Sequence, residues 1–113
     1  MRKTMILLSA LLAVPALAQG PVGTAARGSY SCELPGNAAG AAGIAQPEAN
    51  FRIASASRYQ SAQGDGTYLR QGDTIRFTSG PRKGEAYAME SGNFLRRVDA
   101  HGKPSRLRCV RGG

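Results

Sequence analysis

Tryptophan is absent from this 113-residue sequence, histidine occurs once, cysteine twice, and only 7 carboxylates stand against 15 lysines and arginines. A lone His101 and two isolated cysteines cannot complete a zinc site. No nucleophile with a base, pair of carboxylates or metal cluster is visible, so the usual constellations of an enzyme are missing. Asp65, Asp73, Glu85, Glu90 and Asp99 fall at strand ends and turns, where they serve solubility and local pairing with arginine. Gly80-Pro-Arg-Lys-Gly84 resembles a phosphate loop only superficially. It lacks the Gly-Lys-Ser/Thr ending and a following helix whose N-terminus would hold the anion. The chain is therefore read as non-enzymatic, with no cofactor and no metal.

The first residues carry an address. Arg2 and Lys3 form a positive n-region, Met5 to Val14 an apolar core, and Ala16-Leu17-Ala18 a small-x-small cleavage site, which together match a secretory signal over residues 1–18. As a helix, Met5 to Ala18 would span about 21 Å, short of the roughly 30 Å of a bilayer's hydrocarbon. No later segment approaches the length of a membrane span. Cleavage would leave 95 residues with 13 basic and 7 acidic side chains, a net charge of +6. Only 18 large apolar residues remain beside 15 glycines. That suffices for one small domain, in the periplasm or outside the cell.

Export also decides how the cysteines are read, since an oxidising compartment favours a disulfide. Cys32 and Cys109 are expected to pair. Closing a loop of about 78 residues contributes about 4.5 kcal/mol through the unfolded state.

Residues 19–27 are small and without period, and are expected to form a disordered leader to a single β domain over 28–113. Tyr30, Cys32 and Leu34 alternate with polar residues, as in a half-buried strand that ends at Pro35-Gly36. The Gly/Ala-rich stretch 36–50 reads as a long surface loop with room for one helical turn over Ala38–Ala45. Phe51 and Ile53 begin a second strand, which Tyr59 would extend. Gly66–Arg70 and Asp73–Thr78 form a hairpin around Gln71-Gly72, with Arg70 opposite Asp73, Tyr68 opposite Ile75 and Gly66 opposite Phe77. Glu85–Glu90 and Asn93–Val98 form another around Ser91-Gly92, setting Met89 against Phe94 and Tyr87 against Arg96 in a cation–π contact. Ser105–Cys109 closes the chain. About seven short strands joined by glycine-rich turns predict an all-β fold, a small antiparallel barrel or a sandwich.

Arginine outnumbers lysine 11 to 2 beyond the signal, and its planar fork suits bidentate contact with phosphate or carboxylate. A chain this rich in alanine, glycine and arginine is also what a GC-rich genome produces. The candidate anion contacts are Arg82 and Lys83, at a basic hairpin tip facing solvent, and Arg96, Arg97, Arg106, Arg108 and Arg111. In an exported protein these point to an anionic envelope lipid or acidic polysaccharide before nucleic acid, whose strand motifs are absent. The alternative is a protein-interaction or inhibitor module that uses the Ser79–Gly84 hairpin against another exported protein.

The run Gly66-Thr-Tyr-Leu-Arg-Gln-Gly-Asp-Thr-Ile-Arg-Phe-Thr-Ser-Gly-Pro-Arg-Lys-Gly84 and the closing Arg106-Leu-Arg-Cys-Val-Arg111 resemble a family of small exported proteins of sphingomonad-type alphaproteobacteria. The resemblance covers nearly all of the chain after the signal, and implies export, a disulfide and a β fold without any activity. Such proteins sometimes bear the name elongation factor P. The residues argue against that role, because the lysine of the translation factor's Pro-Gly-Lys-Gly loop is replaced by Asn37 in Pro35-Gly-Asn-Ala38.

Overall fold

In a computed structural model, residues 22–36 and 43–112 are described. The signal segment and the middle of the Gly/Ala-rich stretch lie outside them. The described chain is nearly all β: β1 Val22–Gly23, β2 Gly28–Pro35, β3 Gly43–Ala45, β4 Phe51–Ile53, β5 Arg58–Gln60, β6 Gly66–Gln71, β7 Thr74–Phe77, β8 Ala86–Ser91, β9 Phe94–Val98 and β10 Pro104–Arg111. One 3-10 turn, Pro47–Ala49, interrupts them. Each of β4 to β9 pairs antiparallel with the next, β10 pairs with β9 and β2, and β2 pairs with β4. Eight strands thus close a meandering barrel, which decides between the two architectures the sequence left open. Closure removes the exposed edges that a flat sheet of such short strands would present.

The disulfide lies at the seam where the chain's ends meet. Cys32 on β2 and Cys109 on β10 are direct cross-strand partners bonded to each other, with their Cα atoms 4.0 Å apart. Both are buried in the core.

Seven expected strands are present, and three short ones were not foreseen. β1 pairs with Gln71 and Arg70 at the end of β6, and Ala25 is buried in the core. From Val22 onward, the segment expected to be a disordered leader is therefore part of the fold. Its small side chains give no period, because a two-residue strand is too short to show one. Tyr59 lies on a separate strand, β5, after a turn in which the Ala54 N–H bonds the Arg58 carbonyl. In the Gly/Ala-rich stretch, Gly43–Ala45 pairs with Glu33–Pro35 as a strand rather than joining a helical turn or loop. Between β3 and β4, the backbone of Cys32 would be left unpaired. Its N–H bonds Asn50 Oδ1 at 2.7 Å, and its carbonyl accepts the Gln46 N–H at 2.8 Å, so the 3-10 turn is seated by backbone groups that must be satisfied.

Both hairpins shift from their expected register. In the first, Gln71 faces Thr74, Arg70 faces Ile75 and Tyr68 faces Phe77, so the turn is Gly72-Asp73. Gly72 has φ +59°, and a positive φ is needed at the first central position of a type II′ turn, which glycine supplies. The slip moves each strand by one place, so the faces survive: Tyr68 and Ile75 are buried, while Leu69 and Arg76 are exposed. In the second hairpin Met89 faces Leu95 and Ser91 faces Phe94, leaving Glu90 as an extra residue. A bulge of this kind changes which side chains share a face. Tyr87 therefore opposes Arg97 and not Arg96.

The barrel is filled by rings. Tyr59 stacks on Phe77 with centroids 4.0 Å apart, Tyr30 stacks on Phe51 at 5.2 Å, and Phe51 meets Phe77 edge-on at 5.3 Å. Each buried tyrosine finds a partner for its hydroxyl. Tyr30 donates to the Ala26 carbonyl, Tyr59 to that of Ser79, Tyr68 to that of Ser55 and Tyr87 to Glu85. Burial raises the Tyr30 and Tyr87 pKa values above the usual phenol range, against the lowering influence of nearby arginines, and both rings stay neutral.

Gly66 does not face Phe77, which pairs with Tyr68; its facing neighbour is Tyr59. A Cβ there would collide with the Ser79 carbonyl and the Tyr59 hydroxyl. Gly66→Ala is expected to destabilise the domain by about 1–3 kcal/mol. Gly92, with nothing within 4 Å of a built Cβ, is the control in the same thermal-unfolding series, and Gly92→Ala should leave Tm nearly unchanged.

Candidate functional site

The positive charges are the feature a function can be built on, and the fold separates those already committed from those left free. Arg82 sits in the turn between β7 and β8, where the sequence predicts a solvent-facing tip. Instead it is 6% exposed. Its guanidinium lies 5.5 Å from the Phe51 centroid and 5.6 Å from that of Phe77. Nε and Nη2 donate to Glu85, Nη1 to the Asn50 carbonyl at 2.9 Å, and Nη2 to the Ala49 carbonyl at 2.9 Å. Burial alone would raise the Glu85 pKa, but the hydrogen bonds and charge of Arg82 outweigh it and hold the carboxyl below its usual range. The same pairing keeps Arg82 protonated despite its burial. Arg82 therefore plugs one end of the barrel. Only Lys83 remains exposed among the basic residues of this tip.

Arg96 and Arg108 face each other on the outside of β9 and β10. Each has a carboxylate: Glu90 at 3.0 Å from Arg96 and Glu33 at 2.7 Å from Arg108. Arg96 also lies over Phe94, 5.5 Å from the ring centroid. Arg111 turns back to Asn93 Oδ1 and to the Arg27 carbonyl. Arg70 ties the Thr24 and Gly72 carbonyls. Of the seven candidate contacts, Lys83 and Arg106 are exposed without a bonded carboxylate among the described residues. Arg97 is half-buried over Tyr87, 6.0 Å from the ring centroid.

The structure directs attention to three arginines outside the seven candidate contacts. Arg52 on β4, Arg58 on β5 and Arg76 on β7 are all exposed, and none has an ion-pair partner among the described residues. Arg52 makes one long contact, 3.4 Å to Ser29 Oγ. Registers link the three across the outer face: Arg52 is opposite Gln60, Arg58 opposite Thr67, and Arg76 opposite Leu69. Leu69, 40% exposed, lies among them. Strands β4 to β7 contain no aspartate or glutamate, whereas β2 and β8 supply Glu33 and Glu90 to the other side. The signal was present in the alternation, since Arg52 lies between Phe51 and Ile53, and Arg76 between Ile75 and Phe77.

His101 is exposed in the turn after β9, where its backbone N–H donates to Asp99 Oδ1. Among the described residues no helix is long and apolar enough to cross a membrane, and no three His, Cys, Asp or Glu side chains converge as metal ligands.

These features define a class: a small antiparallel β-barrel closed by a disulfide, with an interior ion pair at one end and exposed arginines on strands that carry no carboxylate. Comparison with known protein families, curated proteins and solved structures gave no match.

Proposed function

We propose that this is an exported, non-enzymatic binding protein that docks on an anionic component of the cell envelope through the outer face of β4 to β7. One observation carries the reading. Arg52, Arg58 and Arg76 project from strands without a carboxylate, while Arg82, Arg96 and Arg108 are neutralised by Glu85, Glu90 and Glu33. Exposed Leu69 favours a phospholipid surface over a polysaccharide, because an apolar side chain beside phosphate-binding arginines matches the boundary between headgroup and acyl chain. The disulfide accords with an oxidising, extracytoplasmic location.

The test is cosedimentation of the mature protein with vesicles of anionic phospholipid. Each basic residue near such a surface contributes about 1 kcal/mol, so replacing Arg52, Arg58 and Arg76 by serine should weaken binding roughly a hundredfold. Moderate salt should weaken the wild type as well, because the screening length falls to about 10 Å at 0.1 M. Equal sedimentation of wild type and triple variant at low salt would end this reading. Binding of the wild type to acidic polysaccharide but not to vesicles would reassign the partner.

A further inference from the structure

We infer that the open cleft at the Arg82 end of the barrel is a second binding site, for a small organic monoanion: a carboxylate joined to an apolar body. The cleft has a volume of about 440 Å³, within the range of pockets that hold small molecules. Its lining combines the Arg82–Glu85 pair with the apolar Leu107, Ala49 and Pro81 and the charged Arg97 and Glu48.

Arg97 is the cation with capacity to spare. Its guanidinium makes no hydrogen bond or ion pair among the described residues, although it is half-buried and close enough to influence Glu85 and Tyr87. Glu85 lies close enough to feel the Arg97 charge but forms no ion pair with it. Both Glu85 oxygens already accept from Arg82, and Oε1 also accepts from the Tyr87 hydroxyl. The cation–π contact with Tyr87 holds the Arg97 head in place without using its N–H donors. A partly buried guanidinium with unused donors beside an apolar wall suits a carboxylate whose body lies on Leu107. The carboxylates of Glu48 and Glu85 limit the charge the site accepts, so a monoanion is favoured over a phosphate dianion. The site is independent of the arginine face on β4 to β7, since none of those three arginines lines it.

The experiment is an NMR titration of the isotope-labelled mature protein with benzoate, acetate and inorganic phosphate in parallel. Benzoate should give saturable shifts at Arg97, Leu107 and Gln46, with acetate weaker and phosphate without effect there. Arg97→Gln should weaken the benzoate response by at least about tenfold. Leu107→Asp, which adds a carboxylate to the apolar wall, should abolish it by a different route. The Arg52/Arg58/Arg76 triple variant should keep it. Thermal unfolding shows whether each variant is folded. Absence of saturable shifts up to tens of millimolar benzoate, or an unchanged response in folded Arg97→Gln, would overturn the proposal. Phosphate shifts as strong as those of benzoate would overturn the monoanion assignment.

Discussion

Replacing Cys32 and Cys109 together by alanine is expected to remove about 4.5 kcal/mol of stability, the loop-closure value for a cross-link spanning 77 positions. Total stabilities of small domains are about 5–15 kcal/mol, so this one bond decides whether the barrel is folded at elevated temperature. The loss should register as a fall in Tm of about 4–8 °C for each kcal/mol. The fold gives the effect its form. β10 and β2 come from opposite ends of the chain, and their four pairs from Arg108–Glu33 to Arg111–Tyr30 close the ring. In the double variant these pairs must assemble from opposite ends of the chain, without a covalent link in the unfolded state. Reductant should reproduce the fall in the wild type and do nothing further to the variant. A double variant melting within a few degrees of the wild type would show that the aromatic interior alone holds the ring.

Arg82→Met should cost about 3–5 kcal/mol, the usual consequence of removing one member of a buried ion pair. The substitution preserves much of the side-chain volume but strands the Glu85 carboxylate and the Ala49 and Asn50 carbonyls, which receive guanidinium N–H groups in the wild type. The companion measurement is pH. Because the Glu85 pKa is lowered in the folded state, its contribution is fully present above the unfolded-state carboxylate value of about 4.3. It fades as pH falls through the lower folded value. Tm of the wild type should therefore drop between neutral pH and pH of about 3, and Glu85→Gln should flatten that limb. In Arg82→Met the sign reverses. A buried carboxylate without its cation gains from protonation, so mild acid should recover part of the lost stability. Identical acid limbs in all three proteins would show that the pair contributes nothing through its charges.

These two results bear on function as well as stability, because Arg82 is one of the cations a sequence-based reading offers to an external anion. Its neighbours in sequence, Gly80, Pro81, Lys83 and Gly84, are those of an exposed turn. Nothing local reveals that the side chain folds back between Phe51 and Phe77. The same holds for Arg96 and Arg108, whose carboxylates are on other strands. Conversely, Arg52, Arg58 and Arg76 are ordinary exposed positions until the strands are laid side by side and prove to lack a carboxylate.

The alternation of apolar and polar residues was enough to determine seven strands and most of their inward side chains, and the export signal with only two cysteines was enough to determine one bond. Those features are local, since successive side chains on a strand point to opposite faces, or need only a single possible pairing. Tertiary structure alone decided that the sheet closes as a barrel, that β1, β3 and β5 join it, and that the bulge at Glu90 brings Arg97 over Tyr87. It also decided which arginines remain free. A charge is neutralised by whatever lies across from it, and register, bulges and ring closure set that neighbour between residues far apart in the chain.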